Sequence, residues 1–306
     1  MCETTTRKFS GAVYLQGALC GLAAVSIWAG NIVVGSLGLR SELTAWDITA
    51  IRFTVAGALL GPLLARSGLA LDRLGWLGAA ALVLGGAPTV LLANAGLLFA
   101  PAAHAGALFP GVLPLMTAVL AALILKEVFT LQMRAGFALI VSGIACMVWG
   151  SGFAFGTSQT IGQVLFLGSA LAFACYTVAL RRGGLDGLHA AAISAVGSML
   201  LFLPPYLLVA GASMFNAPMS AIALQALVQG LLTAVISYIA YGRAVSILGA
   251  SSGAAFAASC PAMTALMAIP ILGEWPLPMD WAAILSISLG VYVVAMAQGH
   301  GVTRIA

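Results

Sequence analysis

Charge is scarce in this sequence: Asp, Glu, Lys and Arg together make up 7% of its 306 residues, against about a quarter in an ordinary soluble domain. With 62% of residues hydrophobic, water is excluded as the main solvent of the chain. Reactive motifs are missing as well. There is no HExxH, P-loop, CxxC or GxSxG pattern, so the reactive cluster that a membrane enzyme needs cannot be assembled and an ATP-driven pump is excluded for this chain alone. Of the 3 histidines, His189 and His300 fall near span ends. The 5 cysteines (Cys2, Cys20, Cys146, Cys175, Cys260) are scattered, most of them inside apolar segments and without metal-ligand spacing. They read as small buried apolar residues. No metal and no cofactor is expected. A basic stripe is also lacking, so the net charge of +4 calls for no nucleic-acid partner.

What the chain does have is long apolar runs. At about 20 apolar residues per span, such runs must become helices or a closed barrel, because lipid hydrates no open backbone. Their lack of period-2 alternation selects helices. The first run is too long for a signal-peptide core and is kept as a span. Windows bounded by charges, Gly and Pro predict helices near 13–37, 45–65, 75–98, 102–125 and 130–150, then near 160–181, 188–210, 220–245, 250–272 and 279–298. With a cytoplasmic N-terminus, Arg7, Lys8, Arg66, Arg73, Lys126, Arg134, Arg181, Arg182, Arg243 and Arg304 fall on the inner side and only Arg40 in the outer loops. That asymmetry supports both orientation and helix count. The 150–160 loop carries no charge.

The chain repeats itself. A shift of 147 residues lays Pro261 on Pro114, Met263-Thr264-Ala265 on Met116-Thr117-Ala118, Glu274 on Glu127, Phe256 on Phe109 and Gly290 on Gly143. Each unit holds an odd number of spans, so the second copy enters the membrane from the opposite side. The expectation is an all-α integral membrane protein of ten transmembrane helices in two inverted five-helix repeats, residues 1–152 and 153–306.

Charges inside spans are costly, so each one marks a candidate functional residue. Arg52 is either a structural arginine, snorkelling outward or bonding a loop carbonyl, or an anchor for a carboxylate or phosphate. Asp47, five residues earlier, is poorly spaced for a helical ion pair with it. Arg243 lies near the inner end of its helix as an inside-facing charge. Inversion sends Glu127 and Glu274 to opposite faces, so they form no acid/base pair; each caps or ties a tight loop to the next helix, with proton sensing as the functional alternative. Pro114 and Pro261 interrupt helix hydrogen bonding near the midplane of each half, which opens space for a central cavity or serves packing alone. Asn31 and Asn94 must face protein or water, since lipid leaves an amide unsatisfied. Under the same shift Tyr241 falls on Asn94, and under a shift of 145 Tyr176 falls on Asn31. These four, with Trp28, Tyr238, Phe109 and Phe256, are the residues expected to contact a substrate, although the aromatic ones also suit packing or the interface. His104 reads as a hydrogen-bonded structural residue. Gly17/Gly21, Gly57/Gly61 and Gly249/Gly253 have the GxxxG spacing of close helix contacts.

These motifs resemble the drug/metabolite transporter superfamily, specifically its EamA-like ten-helix exporters. Ile27-Trp28-Ala29-Gly30-Asn31 is similar to the family's first-helix Trp-Gly-x-Asn region and Ala50-Ile51-Arg52-Phe53 to its second-helix Arg-Phe. Pro114 through Glu127 with Gly136 and Gly143 resembles the Pro, Glu and two-Gly pattern that closes each repeat; Pro261, Glu274 and Gly290 repeat it, with Ala283 in place of the first Gly. The resemblance implies a cavity lined by helices one, three, four, six, eight and nine, and movement of small metabolites by alternating access. The resulting expectation is a secondary transporter in the inner membrane, both termini cytoplasmic, exporting a small polar metabolite such as an amino acid. An importer or exchanger of a vitamin or nucleobase, an intramembrane enzyme and a non-transporting scaffold are the rivals. The expected partners are a small-molecule substrate and membrane lipid; oligomeric state is left open.

Overall fold

The computed structural model describes residues 11–150, 157–211 and 213–302, and the regular elements among them are all helical. Cys2, Arg7, Lys8, Arg304 and most of the 150–160 loop lie outside the described residues, as does the side chain of His300. Ten crossings follow in order: α1 (Gly11–Leu39), α2 (Ala45–Ser67), α3 (Leu71–Gly96), α4 (Ala102–Leu125) and α5 (Leu131–Gly150). The second set is α6 (Ser158–Gly183), α7 (Gly187–Ala210), α8 (Met219–Leu248), α9 (Ala250–Ala258 and Cys260–Leu272) and α10 (Pro278–Val302). Among the described residues, 9 of these stretches are by themselves long and apolar enough to cross a membrane. The two pieces of α9, of 9 and 13 residues, fall short of about 30 Å of hydrocarbon singly and span it together.

Breaks in the crossings have local causes. In α4 the helix stops at Leu108 and resumes at Leu113; in α9 it turns at Ser259. Pro114 and Pro261 each sit in the first turn of the second piece, where a missing N–H leaves no hydrogen bond unmade. Sequence reading predicts an unbroken third helix, but α3 consists of Leu71–Leu84 and Ala87–Gly96, parted at Gly85-Gly86. The physical reason is tertiary. Tyr176 presses on Gly85 so closely that no side chain fits there, and the Ala87 N–H freed by the break donates to Ser198 Oγ on α7 at 2.9 Å. The middle of α8, Ala226–Ile236, is a π-helix, a widening that is common at functional sites.

The duplication is visible in the caps. Lys126 (φ 56°) and Gly273 (φ 70°), equivalent positions, both end their helices in the left-handed conformation. The next residues, Glu127 and Glu274, each donate their N–H six residues back, to Ala121 and Ala268, at 3.4 Å. Packing follows the same inversion: α1 lies against α8 and α9, and α6 against α3 and α4, while α2 packs on α7 and α5 on α10. The α5–α10 contact needs glycine. A Cβ on Gly290 would lie 2.7 Å from the Gly136 carbonyl, and one on Gly143 would lie 2.9 Å from that of Ala283.

Each glutamate bonds across to the other repeat rather than to the next helix. Arg40 Nη2, at the end of α1, meets Glu274 Oε1 at 2.6 Å, while Glu274 Oε2 accepts the Ala102 N–H at the start of α4 at 2.8 Å. On the face that carries the basic loops, Arg181 Nη2 of α6 meets Glu127 Oε1 at 2.7 Å.

Candidate functional site

A cavity of about 430 Å³ lies between the two repeats. Its walls include Trp28 and Asn31 of α1, Asn94 of α3, Phe109 and Pro114 of α4, Tyr176 of α6, and Tyr238 and Tyr241 of α8. Sequence reading places the lining on six helices. The structure adds α2, which contributes Arg52, Phe53 and Ala56, and α7, which contributes Ser194 and Ala195.

Arg52 takes neither structural role considered from sequence. It neither reaches outward nor bonds a loop carbonyl: its Nη1 donates to Asn31 Oδ1 at 3.3 Å and to Gln229 Oε1 at 3.1 Å. Asp47 is not its partner, since that carboxylate caps α2 through Thr44 and accepts from Tyr206 and Ser213, each at 2.6 Å.

The wall between α1 and α8 is built by a polar stripe at four-residue spacing that sequence reading missed. Gln225, Gln229, Thr233 and Ser237 are all buried and all face α1. Gln225 Nε2 donates to the Val34 carbonyl at 2.6 Å and Gln229 Nε2 to the Asn31 carbonyl at 3.3 Å. Thr233 Oγ1 donates to Asn31 Oδ1 at 3.3 Å, and Trp28 Nε1 donates to Ser237 Oγ at 3.0 Å. Residues four apart drift around a 3.6-residue helix, and the π-helical stretch changes that phase within this run. The spacing of buried-type polar residues in an apolar run was the available signal.

Aromatic rings line two further parts of the wall. Trp28 meets Tyr241 at 5.1 Å between ring centroids; Phe173 stacks on Tyr176 at 5.0 Å and meets Phe109 edge-on at 6.2 Å. Phe173 was also missed, although the 145-residue shift that pairs Tyr176 with Asn31 places it on Trp28. Among the described residues, polar groups of the wall are left without a protein hydrogen-bond partner. The Tyr176 hydroxyl is buried without a hydrogen bond, and the Asn94 amide, in a residue only 5% exposed, makes none with any described residue.

Other expected residues lie elsewhere. Phe256 is not in the cavity wall; its ring packs in an apolar cluster with Trp28, Val25 and Ala29, so close to Gly21 that a Cβ there would come within 2.6 Å. Pro261 is buried in α9 outside the lining. Glu127 and Glu274 stand at the two membrane faces in the ion pairs described above. His104 is buried, with Nε2 3.0 Å from Asp280 Oδ1 and Nδ1 3.2 Å from Gln163 Nε2, tying α4, α6 and α10 together. Arg243 is exposed, beside Cys20 and Ser246. Among the described residues no cluster of His, Cys, Asp and Glu could hold a metal.

The model of the EamA-like transporter family matches residues 15–149 and matches again over 160–296. The chain belongs to the EamA-like transporter family. Its two matched segments correspond to the two inverted five-helix repeats, and membership makes it a multi-pass membrane transporter of small molecules. Among solved structures, one crystal structure of a protein is similar over 92% of this chain and 96% of its own, with a TM-score of 0.58 and 19% identity. At that identity the likeness shows the fold alone. No curated protein matches the chain.

Proposed function

We propose that this EamA-like protein is a secondary transporter that exports a small polar metabolite, such as an amino acid or a related compound, across the inner membrane by alternating access. The cavity between the inverted repeats carries this reading. At about 430 Å³ it suits one small metabolite, and its wall offers Arg52, Asn94 and Tyr176 as polar groups not fully used by the protein. The helices around it are broken at Gly85-Gly86 and before Pro114, as irregular backbone within a membrane is when it borders a cavity.

The crossed ion pairs fit a rocking motion. Arg40–Glu274 and Arg181–Glu127 each join one repeat to the other, at opposite faces. Opening one face separates one pair and can leave the other closed. The excess of basic residues on the Arg181 face supports cytoplasmic termini.

Counterflow in proteoliposomes, run over a panel of amino acids, monocarboxylic acids and related metabolites with and without a pH gradient, tests the proposal. Saturable exchange of at least one compound is expected. Folded protein that moves none of them would refute it.

A further inference from the structure

Arg52 brings a positive charge to the cavity wall, and no described carboxylate answers it. Of the 8 acidic residues, Glu3 lies outside the described residues. Asp47 is taken up by Thr44, Tyr206 and Ser213; Glu127 and Glu274 pair with Arg181 and Arg40; Asp280 pairs with His104. Asp186 caps α7, and Glu42 and Asp72 are exposed at the two faces. An ionised group within a span is strongly disfavoured without a counter-charge. Its hydrogen-bond partners, Asn31 Oδ1 and Gln229 Oε1, are neutral and both bind Nη1, and the Phe53 ring, its centroid 5.8 Å from the guanidinium carbon, meets its face and not its edge. Nε and Nη2 form no hydrogen bond with any described residue, which leaves free the guanidinium edge that receives both oxygens of a carboxylate.

The rest of the wall narrows the class. A phosphate dianion would meet one positive charge and neutral amides, whereas a monoanion balances the site. An ammonium group would find no carboxylate, because none is in the lining. The stacked Phe173 and Tyr176, with Phe109 edge-on, present flat apolar surface to the body of a ligand. We propose that the cargo is a net-negative monocarboxylate with a flat or aromatic body, its carboxylate held by the free edge of Arg52 and its body against the Phe109–Phe173–Tyr176 wall. The proposal rests on the cavity being the transport site, and it narrows the small polar metabolite proposed above to an acid whose carboxylate is not balanced by an ammonium group, which sets zwitterionic amino acids aside.

The test is binding to the full chain in detergent, with three acids (benzoate, phenylacetate, nicotinate), their matched amides, and benzylamine as the cation. At least one acid should bind about tenfold or more tightly than its amide, the scale of a charge-assisted pair. Arg52→Gln should abolish that preference and Arg52→Lys should keep part of it. If no acid outbinds its amide on the unaltered protein, the inference fails whether or not the variants fold. It fails equally if a folded Arg52→Gln variant keeps the preference. Counterflow separates this inference from the transport reading. Acid binding that depends on Arg52 with no counterflow of any compound overturns transport and leaves the carboxylate site standing. Counterflow of neutral or cationic compounds with no preference for acids does the reverse.

Discussion

Removing Glu274 should open one face of the protein far more than removing its repeat counterpart Glu127 opens the other. Glu274 holds two partners in different repeat positions, the Arg40 guanidinium and the Ala102 N–H that begins α4. Among the described residues, the Glu127 carboxylate holds only Arg181. Both ion pairs are partly exposed, with Arg40 at 49% and Arg181 at 43%, so each pair alone contributes about 0.2 to 1 kcal/mol. A carboxylate on a helix N-terminal N–H adds about 0.5 to 2 kcal/mol. Glu274→Ala therefore removes about 1 to 3 kcal/mol from the closed state of its face, a shift of about 5- to 150-fold, and Glu127→Ala at most about fivefold. Cys260 reports the change, because it lines the cavity while being 1% exposed. A membrane-impermeant thiol reagent added from the Arg40 side should label Cys260 much faster in Glu274→Ala. From the Arg181 side it should label Glu127→Ala only slightly faster, and Cys260→Ser controls should show neither signal. Equal rates in the two variants, or acceleration from the wrong side, would refute the crossed-latch reasoning.

Three stability predictions follow from the same geometry, each read as thermal unfolding in detergent. Gly290→Ala should destabilise by about 1 to 3 kcal/mol, since its Cβ would lie 2.7 Å from the Gly136 carbonyl, whereas Gly61→Ala, with nothing within 4 Å, should be neutral or gain up to about 1 kcal/mol. Lys126→Gly should stabilise by about 1 kcal/mol by relieving a left-handed residue at φ 56° that the second repeat fills with Gly273; a loss would show that the lysine side chain matters more than its backbone. His104→Leu should cost about 1 to 3 kcal/mol, because it leaves Asp280, only 6% exposed, without its 3.0 Å partner.

The ten spans, their alternating direction and the duplication follow from the sequence by itself, because hydropathy, loop charge and a repeated Pro-to-Glu pattern act over a few residues at a time. So do the breaks before Pro114 and Pro261, since proline acts on its own helix. The tertiary structure alone decided which residues meet. Glu274 reaches Arg40 across 234 positions, and Gln229 reaches Arg52 across 177, separations that no local pattern encodes. Phe256 and Phe109 occupy equivalent positions, yet one ring packs against Gly21 and the other lines the cavity. The helix α3 parts at Gly85 because Tyr176 and Ser198, from the other repeat, fill its space and take its free N–H. Lipid selects the helices one by one through the cost of bare backbone, whereas the cavity exists only where two inverted copies face each other, so its chemistry is a property of their contact.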